Sequence, residues 1–432
     1  MTDAYKVVGV GVDSLWLNAC YAVDDGTTDL DKMTPDGRPL ADDIMQHLVA
    51  LQQQARLVEK PLPTNYEFNG ACLLMYPNGG GMKSLWSFIL RNDALEVKIG
   101  RGTRNGIIAK VRLSAEYLWS ERDLPYCMMC VHTFLMGVFN APIALQVSEI
   151  HLCADITGYD FGAGDWRDGF IRRCGLKPHF GTPDINGDGD DDEESEQEND
   201  ENGEIIQGPD SVHLRYRPIT GLSFGTHKSA MAAAVYNKTT YIKQKAKETT
   251  WFHDLWKEQG WDGSSEVWRV EFRFKREMLH ECGIDNAYTV PDRLAALWDY
   301  ASLCWLRYTV PDQDTNRSRW EVHPVWEVVQ GAFAVTLTPD QVEMGPVIRE
   351  RKRKVNTDMM IAQVVGCLIT LHAWDKARQL CERDDLSLVL HDFYERGEDY
   401  LARKQKDFSA AVRYKQRVYS LVGVDADDAM AA

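Results

Sequence analysis

A two-residue periodicity of side chains, clear in two segments and present in a shorter third, is the feature that most constrains how this chain can fold. The segments are 149–155, 234–238 and 268–275. Successive side chains of a β-strand point to opposite faces, so each segment predicts a strand with one apolar and one polar face. If the three strands share a sheet, its polar face collects carboxylates, an imidazole, a phenol and several cations. These residues are Glu149, His151, Asp155, Tyr236, Lys238, Arg269, Glu271, Arg273 and Lys275.

The rest of the chain predicts an α+β fold. Residues 67–118 contain short apolar runs separated by turn-forming stretches such as PNGGG and RGTRNG, a pattern typical of antiparallel strands. Segments 42–59 and 123–139 are predicted helices, and from about residue 292 the pattern is helical to the end. We therefore expect a mainly antiparallel sheet with helices packed on one face, plus a helical C-terminal domain.

The length of the chain predicts more than one domain. Its 432 residues exceed the size at which a single hydrophobic core usually stops growing. We expect an N-terminal α+β region over residues 1–140, a central domain over 141–310 that carries the candidate site, and a helical domain over 311–432.

The net charge of −17 is unfavourable for a nucleic-acid partner, but its distribution is uneven. Twelve acidic residues and no basic one lie in 184–204, which has the composition of a disordered insertion, and removing them leaves −5. Residues 211–247 then contain seven Lys or Arg and no acid. The average therefore conceals a basic block directly after an acidic one.

The expected cellular location follows from the lack of a visible membrane span or secretory signal in the sequence. The apolar runs are shorter than a membrane span needs, and no secretory signal is visible at the N-terminus. The ten cysteines are scattered, which is typical of reduced thiols. We expect a cytoplasmic protein without a membrane partner.

Two interpretations of the predicted polar face are open on the pattern alone. A solvent-facing sheet surface with alternating charges is common in antiparallel sheets. The alternative is a phosphoryl-transfer site, because carboxylate and imidazole ligands suit Mg²⁺ or Mn²⁺ and a phenol beside a lysine can attack a phosphate.

The amino-acid sequences of the three segments resemble known sequence motifs. Residues 149–155 resemble a motif R-x-D-x-x-x-D, residues 225–238 resemble a glycine-serine strand pair leading to Y-[DN]-K, and residues 268–273 read W-R-V-E-F-R against W-x-R-x-E-x-R. Together, over roughly 140–310, they resemble the replication initiation factor family. That family comprises rolling-circle plasmid initiators and related relaxases of conjugative elements.

The resemblance implies an activity and roles for individual residues. Tyr236 becomes the nucleophile that nicks one DNA strand at an origin, leaving a 5′-phosphotyrosine bond and a free 3′-hydroxyl. Lys238 would stabilise phosphate charge or help to deprotonate the phenol. The resemblance further implies that His151, Asp155 and Glu271 hold Mg²⁺ or Mn²⁺.

Basic residues around this core are candidates for DNA contacts, with the duplex origin and its melted strand as the expected partners. They are Arg215, Arg217, Lys228, Lys243, Lys247, Arg269, Arg273, Arg351 and Lys352. A host helicase and a second copy of the chain are further candidate partners.

The sequence departs from the family pattern at two positions, which keeps other functions open. His151 stands in place of an acid, and Tyr241 occupies the position of a glutamate and is itself a competing nucleophile. A catalytically silent, sequence-specific DNA-binding regulator on the same scaffold is therefore the alternative function. A protein whose acidic insertion is the working surface is a third hypothesis.

Overall fold

The computed structural model describes most of the chain up to residue 336 and parts of the remainder. The described residues are 5–23, 36, 38–80, 85–104, 106–164, 166–172, 206–207, 211–214, 219–226, 229–245, 250–336, 347, 349, 357–378, 385–404, 407–410 and 412–413.

A large antiparallel sheet organises these residues. The strands, in chain order, are β1 (Lys6–Tyr21), β2 (Leu62–Phe68), β3 (Ala71–Met75), β4 (Trp86–Arg91), β5 (Leu95–Arg104), β6 (Ile107–Leu113), β7 (Ile143–Thr157), β8 (Phe170–Arg172), β9 (Ile206–Gln207), β10 (Ser211–Leu214), β11 (Ile219–Phe224), β12 (Met231–Asn237), β13 (Val267–Lys275) and β14 (Leu306–Tyr308). Eleven of them form one sheet in the order β10-β11-β12-β13-β7-β1-β6-β5-β4-β3-β2, and β14-β8-β9 form a small second sheet.

The large sheet consists of two halves with the same strand arrangement. β1 and β7 are neighbours in the middle and pair from Lys6 opposite Thr157 to Tyr21 opposite Ile143. The last strand of each half returns to its first, β6 to β1 and β13 to β7. Three register shifts along β1, between Val7 and Gly9, Val12 and Ser14, and Trp16 and Leu17, change which residues face each side of the sheet.

The helices are α1 (Asp42–Leu57), α2 (Ala115–Glu121), α3 (Leu124–Phe139), α4 (Trp166–Gly169), α5 (Lys238–Lys245), α6 (Trp251–Glu258), α7 (Arg276–Glu281), α8 (Leu294–Asp299), α9 (Pro324–Gln330), α10 (Thr357–Ala377) and α11 (Leu386–Arg403). A π-helix over Tyr300–Trp305 follows α8. Local sequence explains the boundaries of α3. The Asp123 side chain caps its first turn by accepting from the Tyr126 amide, and Asn140 ends it in the left-handed region.

One hydrophobic core joins the sheet to α1, α3, α7, α8 and α9. Its members include Leu48, Val131, Leu279, Trp298 and Trp326, all fully buried, packed against the apolar faces of the strands. Each such side chain contributes about 1.5–3 kcal/mol relative to full exposure. The α+β class, with a mainly antiparallel sheet and a helical C-terminal region, is confirmed.

The prediction that helices cover only one face needs a correction. A second cluster lies on the opposite face, where Phe252, Leu255 and Trp256 of α6 pack against Val8 of β1 and Cys153 of β7. The apolar stripe of α6 indicates that the helix is buried but not which face of the sheet it covers.

The chain divides into two units, Met1–Arg349 and Glu350–Ala432. The predicted boundaries at 140/141 and 310/311 both fall inside the first unit, because β1 and β7 pair along their whole length and α9 joins the same core. In the second unit an ion pair of 2.7 Å joins Asp375 of α10 to Arg396 of α11. No helix among the described residues is long and apolar enough to cross a membrane.

Candidate functional site

The three alternating segments form neighbouring strands with a common polar face, as predicted. On β13, Arg269 lies opposite Asp155 of β7 and Arg273 lies opposite His151. On the other side, Tyr236 of β12 lies opposite Arg269. The alternate residues Trp268, Val270, Phe272 and Phe274 are buried in the main core.

Glu271 is the centre of the first group of polar side chains. It is only 3% exposed. One carboxylate oxygen accepts from the Tyr236 hydroxyl at 3.1 Å. The other accepts from Nε of Arg273 at 3.0 Å and contacts Nδ1 of His151 at 3.2 Å. The phenol, a guanidinium and an imidazole therefore converge on one buried carboxylate.

His151 continues this group toward Glu149, whose carboxylate lies 2.6 Å from Nε2. Burial lowers the pKa of the His151 imidazole, but its hydrogen bonds to Glu149 and Glu271 outweigh burial and raise the pKa above 6.5. Burial likewise raises the pKa of Glu271, but the charge of Arg273 and the hydrogen bond from His151 hold that pKa well below 4.5. The Glu271 carboxylate is therefore charged at rest and is stabilised by Arg273 and His151.

Tyr236 and Lys238 lie at the junction of β12 and α5. Burial, reinforced by the charge of Glu271, raises the pKa of the Tyr236 phenol well above 10. Lys238 is 4% exposed, and its Nζ lies 5.8 Å from the centre of the Tyr236 ring and 4.5 Å from that of Phe252. Burial and the charge of Arg269 lower the pKa of the Lys238 amine below 10.5. The phenol is therefore protonated at rest, beside a lysine that releases its proton more readily than usual.

A second group surrounds Arg269, which is fully buried. Its guanidinium makes two hydrogen bonds to Asp155, at 2.6 and 2.7 Å, and a third to Asp13. The Trp256 indole donates to Asp155 at 2.8 Å, and the Phe252 ring lies 4.6 Å from the guanidinium. Arg269 and Asp155 therefore form a buried ion pair that α6 covers.

The second group corrects two predictions. Arg269 is not available to a DNA backbone, since it is buried and bonded to two carboxylates. The predicted Mg²⁺ or Mn²⁺ site does not fit, because both oxygens of Asp155 are engaged by Arg269 and Trp256 while His151 and Glu271 belong to the other group. No group of three or more His, Cys, Asp or Glu in the described part of the chain is arranged to hold a metal ion.

Several residues of the site were not predicted from the sequence. Asp13 bonds Arg269 from β1, and Gly9 and Gly11 of the same strand leave room for the site. A Cβ on Gly9 would lie 3.1 Å from the Asp155 carboxylate, and one on Gly11 3.2 Å from the Trp119 ring. Glycines in a strand interior indicate such close approaches, so this signal was present.

A group of cations on the N-terminal half of the sheet was also not predicted. The side-chain cations of Lys98, Lys110 and Arg112 lie 5.8, 5.0 and 4.9 Å from the centre of the Trp16 ring. Trp16 is opposite Glu149 of β7, so these cations lie on the same face of the sheet as His151 and Glu271.

The other predicted DNA contacts divide between described and undescribed residues. Arg273 is 30% exposed beside Tyr236, and Lys243 is exposed on α5. Arg215, Arg217, Lys228, Lys247, Arg351 and Lys352 lie outside the described residues, as does the acidic insertion 184–204.

Comparisons with known proteins find similarity among solved structures alone. No family model matches the chain, and no curated protein matches it. Among solved structures the chain is similar to the rolling circle replication initiator protein from Geobacillus stearothermophilus, with 13% sequence identity and a TM-score of 0.39. The match covers 79% of this chain and 99% of the other.

Proposed function

We propose that this chain nicks and rejoins one strand of DNA at a replication origin, with Tyr236 as the nucleophile. The observation that carries the proposal is the hydrogen bond from the Tyr236 hydroxyl to Glu271, with Arg273 and His151 on the same carboxylate. A hydroxyl bonded to a carboxylate, with cations alongside, is the arrangement that attack on a phosphodiester requires. The resemblance of the segments around Tyr236 and Glu271 to rolling-circle initiators and relaxases supports DNA as the substrate.

The reaction is a transesterification. The Tyr236 oxygen forms a bond to the scissile phosphorus, and the bond from phosphorus to the 3′-oxygen breaks. The phenolic proton passes to Glu271 at 3.1 Å, and the departing 3′-oxygen takes up a proton from water and becomes the free 3′-hydroxyl. Attack by that hydroxyl on the phosphotyrosine reverses the step and rejoins the strand.

Arg273 would couple substrate binding to activation of the phenol. At rest its charge is the main favourable influence that keeps the pKa of Glu271 low and the carboxylate a weak base. A DNA phosphate entering beside Tyr236 competes with Glu271 for Arg273, since guanidinium groups bind phosphate strongly. Loss of that ion pair raises the pKa of Glu271, and the carboxylate then accepts the phenolic proton more readily.

Lys238 has a second role in this proposal. Its amine lies near the Tyr236 ring, and burial lowers its pKa below 10.5, so it releases a proton more readily than an exposed lysine. It would stabilise charge on the attacked phosphate when protonated. No step is assigned to a metal ion, because Asp155 is engaged by Arg269 and Trp256, and His151 and Glu271 contact each other.

Supercoiled DNA carrying the cognate origin provides the test. The wild-type protein is expected to produce nicked circles with protein attached, and Tyr236→Phe is expected to produce none. Tyr241→Phe is the matched control, because the two rings lie 5.7 Å apart and Tyr241 is the other candidate nucleophile. Protein-linked circles from Tyr236→Phe would contradict the assignment.

One observation favours the silent DNA-binding regulator as a second candidate. The pKa of the Tyr236 phenol is raised, not lowered, in the arrangement described here. A regulator predicts binding of the origin duplex with no nicked circles from any variant, so the same assay distinguishes the two functions.

A further inference from the structure

A small cavity lies beside the β12–α5 junction, separate from the two groups of polar side chains described above. Its volume is about 180 Å³, and its walls come from α5, α6 and the loop that leads into β13. The basic side chains that line it are Lys243, His253 and Lys257, with the Trp261 ring and the hydroxyl-bearing Thr239 and Ser264. None of the lining residues that the structure describes is acidic.

The basic groups approach the cavity from two helices. His253 and Lys257 are four residues apart on α6 and therefore lie on the same side of that helix. Lys243 comes from α5. Burial, and after it the charges of Lys257 and Lys243, lower the pKa of the His253 ring. Like charges gathered in this way repel one another, and an anion in the cavity would relieve the repulsion.

His253 supplies a second observation. Its Nε2 atom is buried and has no hydrogen-bond partner among the described residues. A buried polar atom without a partner costs about 1–3 kcal/mol. The ring packs against Trp256 at 5.7 Å and Trp261 at 5.4 Å between ring centres, so the unsatisfied nitrogen has a defined position in a residue that lines the cavity.

Two acidic residues lie next to the cavity in the chain, and the charge of Asp254 offsets part of the effect of the lysines by raising the pKa of His253. Asp254 lies 3.6 Å from the Lys257 amine, but its side chain is 82% exposed, and an ion pair so exposed contributes little. One carboxylate oxygen of Asp262 accepts from the amides of Ser264 and Ser265, which shapes the loop beside the cavity.

The cavity is close to the candidate nucleophile. Thr239 follows Tyr236 by three residues, which limits the distance between their Cα atoms to about 11 Å. The Asn237 side chain fixes this junction by donating to Glu266 at 2.8 Å and accepting from the Thr240 amide at 2.9 Å. Lys238 contacts Phe252, the residue before His253 on α6.

We infer that this cavity binds a phosphate of the DNA strand next to the phosphate that Tyr236 attacks, with Lys243, His253 and Lys257 as its ligands. The Trp261 ring gives the adjoining base a surface for stacking. The inference rests on the proposed function, because it makes the cavity a positioning subsite of the same strand.

The test measures binding of a fluorescent single-stranded origin oligonucleotide by anisotropy. It uses the full chain carrying Tyr236→Phe, so that covalent attachment does not affect the result. Lys243→Glu combined with Lys257→Glu is expected to weaken binding by at least about tenfold. It should also reduce the slope of log affinity against log salt by about 0.7, the value for one lost phosphate contact on a single strand.

His253→Asn is expected to weaken binding more mildly. Lys60→Glu reverses the charge of one exposed lysine between α1 and β2. As the control for each single charge reversal in the double variant, it should leave affinity and salt slope unchanged. Both lysines of the test variant are on the surface of helices, and a matching melting temperature will show that the fold is intact.

Three results would overturn the inference: an unchanged salt slope in the double variant, an equal effect of Lys60→Glu, or no binding of the oligonucleotide by the parent protein. Competition distinguishes the source of the phosphate. Inorganic phosphate and a deoxynucleoside monophosphate should displace the oligonucleotide only at far higher concentration than an unlabelled strand. Displacement at equal concentration would indicate a free-nucleotide site instead. Nicking by the double variant in wild-type background, measured separately, shows whether the proposed function holds when the subsite fails.

Discussion

Replacing Asp155 by alanine removes the main partner of a fully buried guanidinium. Arg269 makes two hydrogen bonds to Asp155, and the remaining bond to Asp13 satisfies only part of the group. Breaking a buried ion pair from one side costs about 3–5 kcal/mol, because the other charge stays buried without its partner.

The expected change is large enough to measure by thermal unfolding. The first unit spans Met1–Arg349. At about 2.1 cal/mol/K per residue, a unit of this size has an unfolding entropy near 0.7 kcal/mol/K, so Tm should fall by about 4–7 °C. Differential scanning calorimetry or circular dichroism will measure the shift.

Two further variants test whether loss of the buried ion pair causes the fall in Tm of Asp155→Ala. Asp285→Ala removes a carboxylate that pairs with Arg276 and His280 at the surface, and should lower Tm by less than about 1.5 °C. Asp155→Leu with Arg269→Met replaces the pair by apolar groups and should recover most of the loss. A fall for Asp155→Ala no greater than that for Asp285→Ala would refute the buried-pair explanation and return Asp155 to the candidate metal ligands.

Three more predictions follow from the two groups of polar side chains. The pKa of His151 is raised in the folded state, so its contribution to stability is complete below pH 6.5 and is lost as the pH rises through the folded-state pKa. His151→Gln should therefore make the fall in Tm between pH 6 and pH 8.5 shallower than in the wild-type protein. Parallel curves of Tm against pH for the two proteins would contradict this. Arg273→Lys should slow single-turnover nicking by about 10²-fold or more and change Tm little. Arg269→Lys should chiefly lower Tm. The opposite pattern would mean that Arg269 acts in the reaction and Arg273 in stability. Addition of 1 mM Mn²⁺ should shift the Tm of wild type and of Asp155→Asn equally, since Asp155 is not a ligand in this arrangement, and a shift confined to wild type would restore the predicted metal site.

The polar face of the sheet could be predicted because a strand has a period of two. The alternation in segments 149–155 and 268–275 placed Glu271 and His151 on one face, and the pairing of β7 with β13 brings them together. The same reasoning could not show that Asp155 pairs with Arg269, because cross-strand partners depend on register.

Two other features depend on irregular structure. Asp13 was missed because the register shift between Val12 and Ser14 breaks the alternation of β1. The position of α6 was missed because an apolar stripe on a helix does not indicate which face of a sheet it covers. Asp13 and α6 both enclose Arg269, so its guanidinium binds buried carboxylates. The predicted DNA contact of Arg269 was therefore wrong.

Identification of the attached residue tests the central claim most directly. A single-stranded oligonucleotide that contains the origin nick site is incubated with the protein, the covalent product is digested with protease and nuclease, and the modified peptide is sequenced by mass spectrometry. The account predicts a 5′-phosphonucleotide on Tyr236. A phosphonucleotide on Tyr241 or on any other residue, or no adduct under conditions in which the oligonucleotide binds, would contradict it.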